Sequence, residues 1–298
     1  MNIDNLKTFC AVAKVKSFSK ASDEVYLTQS AISRQIAQLE QDLRTKLFIR
    51  KRDGITLTKQ GELLLDRAKR IIADVETMRN VVSAAETEVS GALKVTMTVG
   101  TASMWMPFFA KSFGDRYPDI KLSIIADDEE LDLSIREADV AIRPYISNRP
   151  DLEQKYLQSF SMKLYASPEY LEEHGVPKVP EDLKTHRFLA FGSPKLTPYS
   201  DMNWFLKLGL PKGEMHTPHI LVNAGAALFE MAEQGVGIAS LSQEYLQLKS
   251  NKLVNILPDV EGTKVDMYYV YPKELEPFKH ITVLGDYLCE KLREKGIF

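Results

Sequence analysis

The chain has only two cysteines in 298 residues, Cys10 and Cys289. A pair so far apart offers no disulfide framework, and Cys10 falls on an apolar helical face, where a small buried thiol belongs. The chain opens Met1-Asn2-Ile3-Asp4, without the basic region and apolar run of a secretory signal. No apolar stretch approaches the roughly 20 residues that span a bilayer. We therefore expect a cytoplasmic protein with no membrane attachment. Catalytic signatures are missing too: no G-x-S-x-G, P-loop or G-x-G-x-x-G stands between a strand and a helix. His216 and His219 lie on a proline-containing loop with nothing beside them to complete a metal set. Neither a metal, a cofactor nor enzymatic activity is expected. The acidic run Asp127 to Glu130 reads as a solvated face.

Net charge is small but unevenly placed. The net charge is −3, yet residues 1–60 hold 11 basic against 6 acidic side chains, and the remainder holds 27 against 35. A basic head on an acidic body suits a head that meets a polyanion. The length exceeds one core, so two or three domains are expected.

The head is organised by Ser17 to Leu47. Leu6, Phe9, Cys10 and Ala13 mark a first helix over about 3–15. Ser19 is a candidate cap for a second helix ending near Tyr26, and Thr28 for a third. In the third, Ile32, Ile36, Leu39 and Leu43 form one apolar stripe. The neighbouring face carries Gln29, Ser30, Ser33, Arg34 and Ala37, side chains suited to base edges in a major groove. FIRKRDGITLT then reads as a hairpin whose turn, Arg52-Asp53-Gly54, uses glycine for a positive φ. Arg50, Lys51 and Arg52 make it a basic wing beside the recognition helix, able to grip phosphate or a minor groove.

Thr58 caps a long helix expected over 59–89. Leu64, Ala68, Ile71, Val75, Met78, Val82, Ala85 and Val89 recur at alternating spacings of four and three, a heptad seam. Such a seam implies a partner helix, most simply a second copy of the chain. The alternative is a surface helix lying on its own domain. From Gly91 onward strands and helices alternate, which predicts α/β layers around largely parallel sheets. Strands are expected at 93–99, 121–126, 139–144, 161–166, 188–191, 219–222, 237–241, 253–257 and 267–271. Helices are expected near 104–117, 131–137, Pro168, Trp204, 224–234 and 275–295.

The first 60 or so residues resemble the head of LysR-type transcriptional regulators. The resemblance rests on Phe9, Ala13, Ser17-Phe18, Ala21, Gln29, Ser30, Ser33, Arg34, Ile36, Leu39, Glu40, Leu47-Phe48, Arg50, Leu57-Thr58 and Gly61, and continues through the whole chain. Ser22, Val25, Ser30 and Lys59 depart from the usual pattern without disturbing the fold. The resemblance implies an α+β multi-domain chain. A winged helix-turn-helix would occupy 1–58 and a dimerisation helix 59–89. An effector-binding domain like a periplasmic solute-binding protein would fill 90–298, with lobe I at 91–161 and 268–298 and lobe II at 162–267. It further implies a sequence-specific regulator that binds interrupted palindromes in double-stranded DNA as a homodimer or homotetramer, responds to a small molecule and engages RNA polymerase. Thr28, Gln29, Ser30, Ser33 and Arg34 would face bases, and Arg50 and Arg52 the backbone or minor groove.

Ligands of such lobes sit beyond the carboxyl ends of strands. In lobe I that indicates Gly100, Thr101, Ala102 and Ser103. Amides and hydroxyls at a helix start favour an anionic effector, although Thr101 and Ser103 equally serve as plain caps. Arg143 would face a carboxylate, or else pair with Asp128 or Glu129. Phe191, Gly192, Asn223 and Gly225 complete the set. Met104, Trp105 and Met106 either narrow the cleft or pack the core. Peroxide-sensing relatives use two cysteines in the body, and this body has one. Two other classes, a solute-binding module and an α/β enzyme, fit the body alone but leave the basic head unexplained.

Overall fold

The computed structural model describes residues 2–51, 54–83, 89–192, 199, 201–249 and 252–294, without the side chains of 50–51, 76–77 and 79–83. It falls into two compact units, Met1–Thr87 with Asp132–Glu137, and Glu88–Leu131 with Ala138–Phe298.

The first unit starts with α1 (Ile3–Val15), α2 (Phe18–Val25) and α3 (Gln29–Leu43). Each has a polar cap: Asn2 accepts from the Asp4 amide, Ser17 from Lys20, and Thr28 from Ala31. The cap of α2 is therefore Ser17 rather than Ser19, which lies in the first turn and shares a 3.1 Å hydrogen bond with the Ser17 hydroxyl. Lys16, Tyr26 and Arg44 take the left-handed conformation that stops each helix. Ile32, Ile36 and Leu39 are buried with Leu6, Phe9, Val12 and Ala21 in one core. Leu43, the expected fourth member of that stripe, stays 37% exposed because Arg44 ends the helix beside it.

Strands β1 (Phe48–Lys51) and β2 (Gly54–Leu57) pair antiparallel as the wing, and Gly54 has the expected positive φ of 130°. Phe48 anchors the wing, its ring 5.3 Å from Phe9 and 5.9 Å from Phe18. Glu40 fixes where the wing begins, accepting from the Leu47 amide at 2.9 Å and from Lys46 Nζ at 2.6 Å. Thr58 donates to the Lys46 carbonyl and accepts from the Gly61 amide, so one hydroxyl closes the wing and caps α4 (Lys59–Ser83). Gly61 is needed there, because a Cβ would stand 2.3 Å from the Leu47 carbonyl oxygen.

The heptad seam divides by what covers it. Ala68 is fully buried in the head's own core and Leu64 packs against that core. Ile71 and Met78 are 38% and 59% exposed, with Val75 half-buried between them. Val89 packs on the core of the second unit instead. Three members, Leu64, Ala68 and Val89, thus pack within their own units, and Val89 lies past the described helix that was expected to run to 89. The Val82 side chain and Ala85 lie outside the described residues.

The second unit contains β3 (Gly91–Met97), α5 (Pro107–Arg116), β4 (Ile120–Ala126), β5 (Val140–Pro144) and β6 (Leu152–Ala166). It continues through α6 (Pro168–His174), β7 (Phe188–Phe191), β8 (Ile220–Val222), α7 (Gly225–Glu233), β9 (Ile238–Ser242) and α8 (Gln243–Leu248). It ends with β10 (Val254–Ile256), β11 (Lys264–Pro272) and α9 (Lys279–Glu294). The strand order is β4-β3-β5-β11-β6-β9-β7-β8, with β10 also on β6. Only β4-β3-β5 and β9-β7-β8 are parallel; the pairings made by β6 and β11 are antiparallel. The expectation of largely parallel sheets thus holds within each lobe and fails at the strands that join them.

Strand β6 is the outward crossing. Residues up to Ser161 pair with β11, and residues from Met162 pair with β9. The return falls near Thr263, whose carbonyl accepts from the Met162 amide at 3.0 Å. It lies earlier than the 267/268 boundary, since Lys264 to Met267 are already laddered to Ser161 to Gln158. A Cβ at Gly262 would stand 2.0 Å from the Met162 carbonyl oxygen and 2.5 Å from the Trp204 ring, so glycine lets the two crossings touch. The helix expected over 131–137 is a short 3-10 turn at Leu133–Ile135, and the one near Trp204 is likewise 3-10.

Candidate functional site

Two places in the chain gather functional chemistry, one on an exposed helix face and one in a partly open cavity. In the first unit, the inward stripe of α3 leaves its amino-terminal face outward. Thr28, Gln29, Ser30 and Arg34 are exposed and Ser33 is half-buried. Thr28 spends its oxygen on the Ala31 amide at 3.3 Å and lies 3.1 Å from the Ser30 hydroxyl. The structure therefore brings together all five expected residues of the helix. Arg52 and the Arg50 side chain fall outside the described residues. The backbone of Arg50 pairs with Ile55 in the wing.

Tyr26 was not anticipated. It is 94% exposed and left-handed at φ 51°, two residues before Thr28. A bulky residue seldom takes that conformation, and the position has no core to fill. Its sequence signal was an aromatic directly after the apolar face of α2 had ended.

The second unit holds a cavity of about 130 Å³. Thr98 to Thr101, Met104 and Trp105 line it from the end of β3, Pro144 from β5, and Phe191 from β7. Asn223 and Gly225 open α7 against it, and Ser240 to Ser242 end β9 there. The crossing strands contribute Phe160, Met162, Val265 and Met267. These are carboxyl ends of strands, as α/β architecture requires. Asn203 holds the β7 end, accepting from the Phe191 amide at 3.0 Å and donating to its carbonyl at 2.8 Å.

Of the expected effector residues, Gly100, Thr101, Phe191, Asn223 and Gly225 line the cavity. Four do not, Gly192 among them. Ala102 points elsewhere and packs on the lobe I core. Ser103 is exposed and donates its hydroxyl to the Val99 carbonyl at 2.6 Å. Arg143 is 5% exposed and donates to the carbonyls of Asp127, Asp128 and Glu129 and to Thr96 Oγ1. It clamps a loop of its own lobe, through carbonyls rather than the carboxylates its acidic neighbours suggested. Burial lowers its proton affinity, and Glu130, Asp128 and Asp127 oppose that shift.

Sequence reading missed several lining residues. Asp128 lies in the run taken as a solvated face, yet its Oδ1 accepts from the Val99 amide at 3.0 Å. Tyr199, Met202 and Tyr245 come from segments without periodicity, where nothing in the sequence marks a wall. Burial pushes the Tyr199 hydroxyl well above its ordinary range and Tyr245 upward as well. Met104 and Trp105 face the cavity, whereas Met106 packs the core. His216 donates from Nε2 to the Leu208 carbonyl at 2.8 Å, consistent with a structural role. No cluster of metal-binding side chains occurs among the described residues.

The model for the LysR substrate binding domain matches residues 86–293, and that for bacterial regulatory helix-turn-helix proteins of the lysR family matches 3–62. The transcriptional regulator CrgA of Neisseria meningitidis is 28% identical over 294 residues, covering 98% of this chain and 97% of that protein. Its solved structure aligns with a TM-score of 0.59 at 27% identity over 98% of this chain and 99% of that one. Full-length CbnR complexed with its target DNA aligns at 0.63 and 20% identity, covering 99% of this chain and 100% of that one, a likeness of fold. No described helix is long and apolar enough to cross a membrane.

Proposed function

The chain belongs to the LysR-type transcriptional regulators, DNA-binding proteins with a substrate-binding effector domain, and from that premise we propose that it reads an interrupted palindrome as a homodimer or homotetramer and answers to a small molecule held in its cavity. The observation that carries this reading is the exposed polar start of α3 beside a wing anchored on the same core. Gln29, Ser30, Ser33 and Arg34 address base edges, with Thr28 ordering the first turn. Arg50 and Arg52 hold the backbone or minor groove, and Tyr26 adds a phosphate contact through its hydroxyl. The presence of target DNA in the CbnR complex is consistent with this docking.

Ile71, Val75 and Met78 are the seam through which α4 pairs with a second copy, placing two heads about a helical turn, or multiples of it, apart. The effector acts by linkage. A ligand that prefers one closure of the lobes shifts the population of one oligomer shape, and that shape sets DNA bending and contact with RNA polymerase. The body senses rather than catalyses, and the protein works in the bacterial cytoplasm. Selection of bound duplexes from a random pool, together with sedimentation, tests the reading. Recovery of paired half-sites by an oligomer is expected. A lone subunit that enriches no sequence at ordinary salt overturns it.

A further inference from the structure

The cavity, taken as the effector site of the preceding reading, is built against the anion that strand-end amides usually invite. At the helical turn after β3 three of the amide donors are already engaged. The Val99 amide donates to Asp128 Oδ1 at 3.0 Å, Thr101 to Thr98 Oγ1 at 3.1 Å, and Ala102 to the Thr98 carbonyl at 2.9 Å. The Thr98 and Thr101 hydroxyls bond each other at 2.8 Å. The chain's own carboxylate thus sits where an anionic ligand would, and Asp128 is part of the cavity wall. The nearest strand-end cation, Arg143, is committed to the backbone carbonyls of the same loop. No lysine, arginine or histidine lines the cavity among the described residues.

The rest of the wall is mostly apolar and soft, with Asn223, Tyr199, Ser240, Ser242 and Tyr245 as its polar members. Met104, Met162, Met202 and Met267 surround it, and Trp105 and Phe191 present rings. Thioethers are polarisable and pack well against aromatic edges. A cavity near 130 Å³ is comparable to an engineered one of about 150 Å³ that admits benzene.

We propose that the effector is an uncharged molecule about one aromatic ring in size, and that Asp128 discriminates against the corresponding carboxylates. The ring fills the methionine-lined space, and a carboxylate is repelled by Asp128 with no cation among the described lining residues to offset it.

Matched probes on the full-length protein test this at constant ionic strength: benzamide against benzoate, and phenylacetamide against phenylacetate. Melting temperature and tryptophan emission are the readouts. Each amide is expected to bind at least tenfold more tightly than its carboxylate, and Asp128→Asn to narrow that ratio to threefold or less. The comparison on the parent protein stands even if the variant fails to fold. A carboxylate that binds the parent as tightly as its amide overturns the proposal and leaves the effector-site reading intact. Absence of binding by all four probes overturns the proposal too. The underlying reading fails separately, when a pooled metabolite extract also changes neither tryptophan emission nor the DNA footprint.

Discussion

At the start of α3, Thr28 uses one hydroxyl to cap the helix and leaves Gln29, Ser30 and Arg34 facing outward. At the helical turn after β3, Thr98 and Asp128 take the Val99, Thr101 and Ala102 amides before any ligand arrives, and the Thr98 and Thr101 hydroxyls bond each other. The same contrast runs through two arginines: Arg34 is exposed, whereas Arg143 is buried and bonded to its own chain. Both helix starts carry threonine and both arginines look like anion receivers in sequence. The difference lies in what the fold puts opposite them, water in one case and a loop carrying carbonyls and a carboxylate in the other.

The largest effect that would break this comparison comes from Gly61→Val. The side chain meets the Leu47 carbonyl backbone, which cannot move without dislodging the wing. We expect a loss of roughly 3 kcal/mol from the head, with DNA binding abolished and ligand binding by the body retained. Calorimetry should show one transition lowered and the other in place. A common shift of both would mean that the two units do not melt separately.

Arg143→Ala follows. It strips donors from three buried-side carbonyls, and bonds of this charged kind contribute about 2–3 kcal/mol. The body's melting temperature should fall. If it holds while the ligand response disappears, Arg143 returns to the ligand site from which its geometry removes it.

These two residues also mark how far sequence carries. The boundaries of α1 were readable from its apolar spacing, and in the structure the Asn2 cap and the left-handed Lys16 fix the same ends. Gly61 was legible as part of a motif, though the carbonyl it avoids was not. The seam spacing described a face and not what covers it: Leu64 and Ala68 are covered by their own unit, and Val89 lies beyond α4 on the core of the second unit. The first two-thirds of β6, LEQKYLQSF, escaped notice because its strand state comes from ladders to β11 and not from alternating apolar residues. Arg143 and Asp128 failed for one reason. Contacts between a strand end and a loop 15 residues upstream leave no periodic trace.

Arg34→Ala is the exposed counterpart of Arg143→Ala, and its effect should be confined to DNA. Specific binding should weaken by about 1–3 kcal/mol with base preference relaxed, while the melting temperature stays put. Competition shifts at fixed salt would measure it, since charge contacts are salt-dependent. Equal discrimination by parent and variant would remove this helix as the reader.

The smallest effect concerns the two thiols, one in each unit. Burial raises Cys10 to about 11, against a smaller opposing influence of Lys69. Cys289 is also raised by burial, with Lys155 and Arg293 opposing and Asp286 reinforcing it. Only the thiolate reacts, so a two-unit rise leaves Cys10 roughly a hundredfold less thiolate at neutral pH than a free thiol. Both should label slowly with a disulfide reagent in the native protein and quickly in denaturant, with Cys10 the slower. The sign for stability follows from the raised value: the folded head holds the Cys10 proton more tightly than the unfolded chain. Its contribution is present below the ordinary value of 9.0 and is lost as pH rises towards about 11. Rapid native labelling of Cys10 would mean that the core formed by α1 and α2 opens readily, and the contrast between an outward-facing α3 and a closed support beneath it would no longer hold.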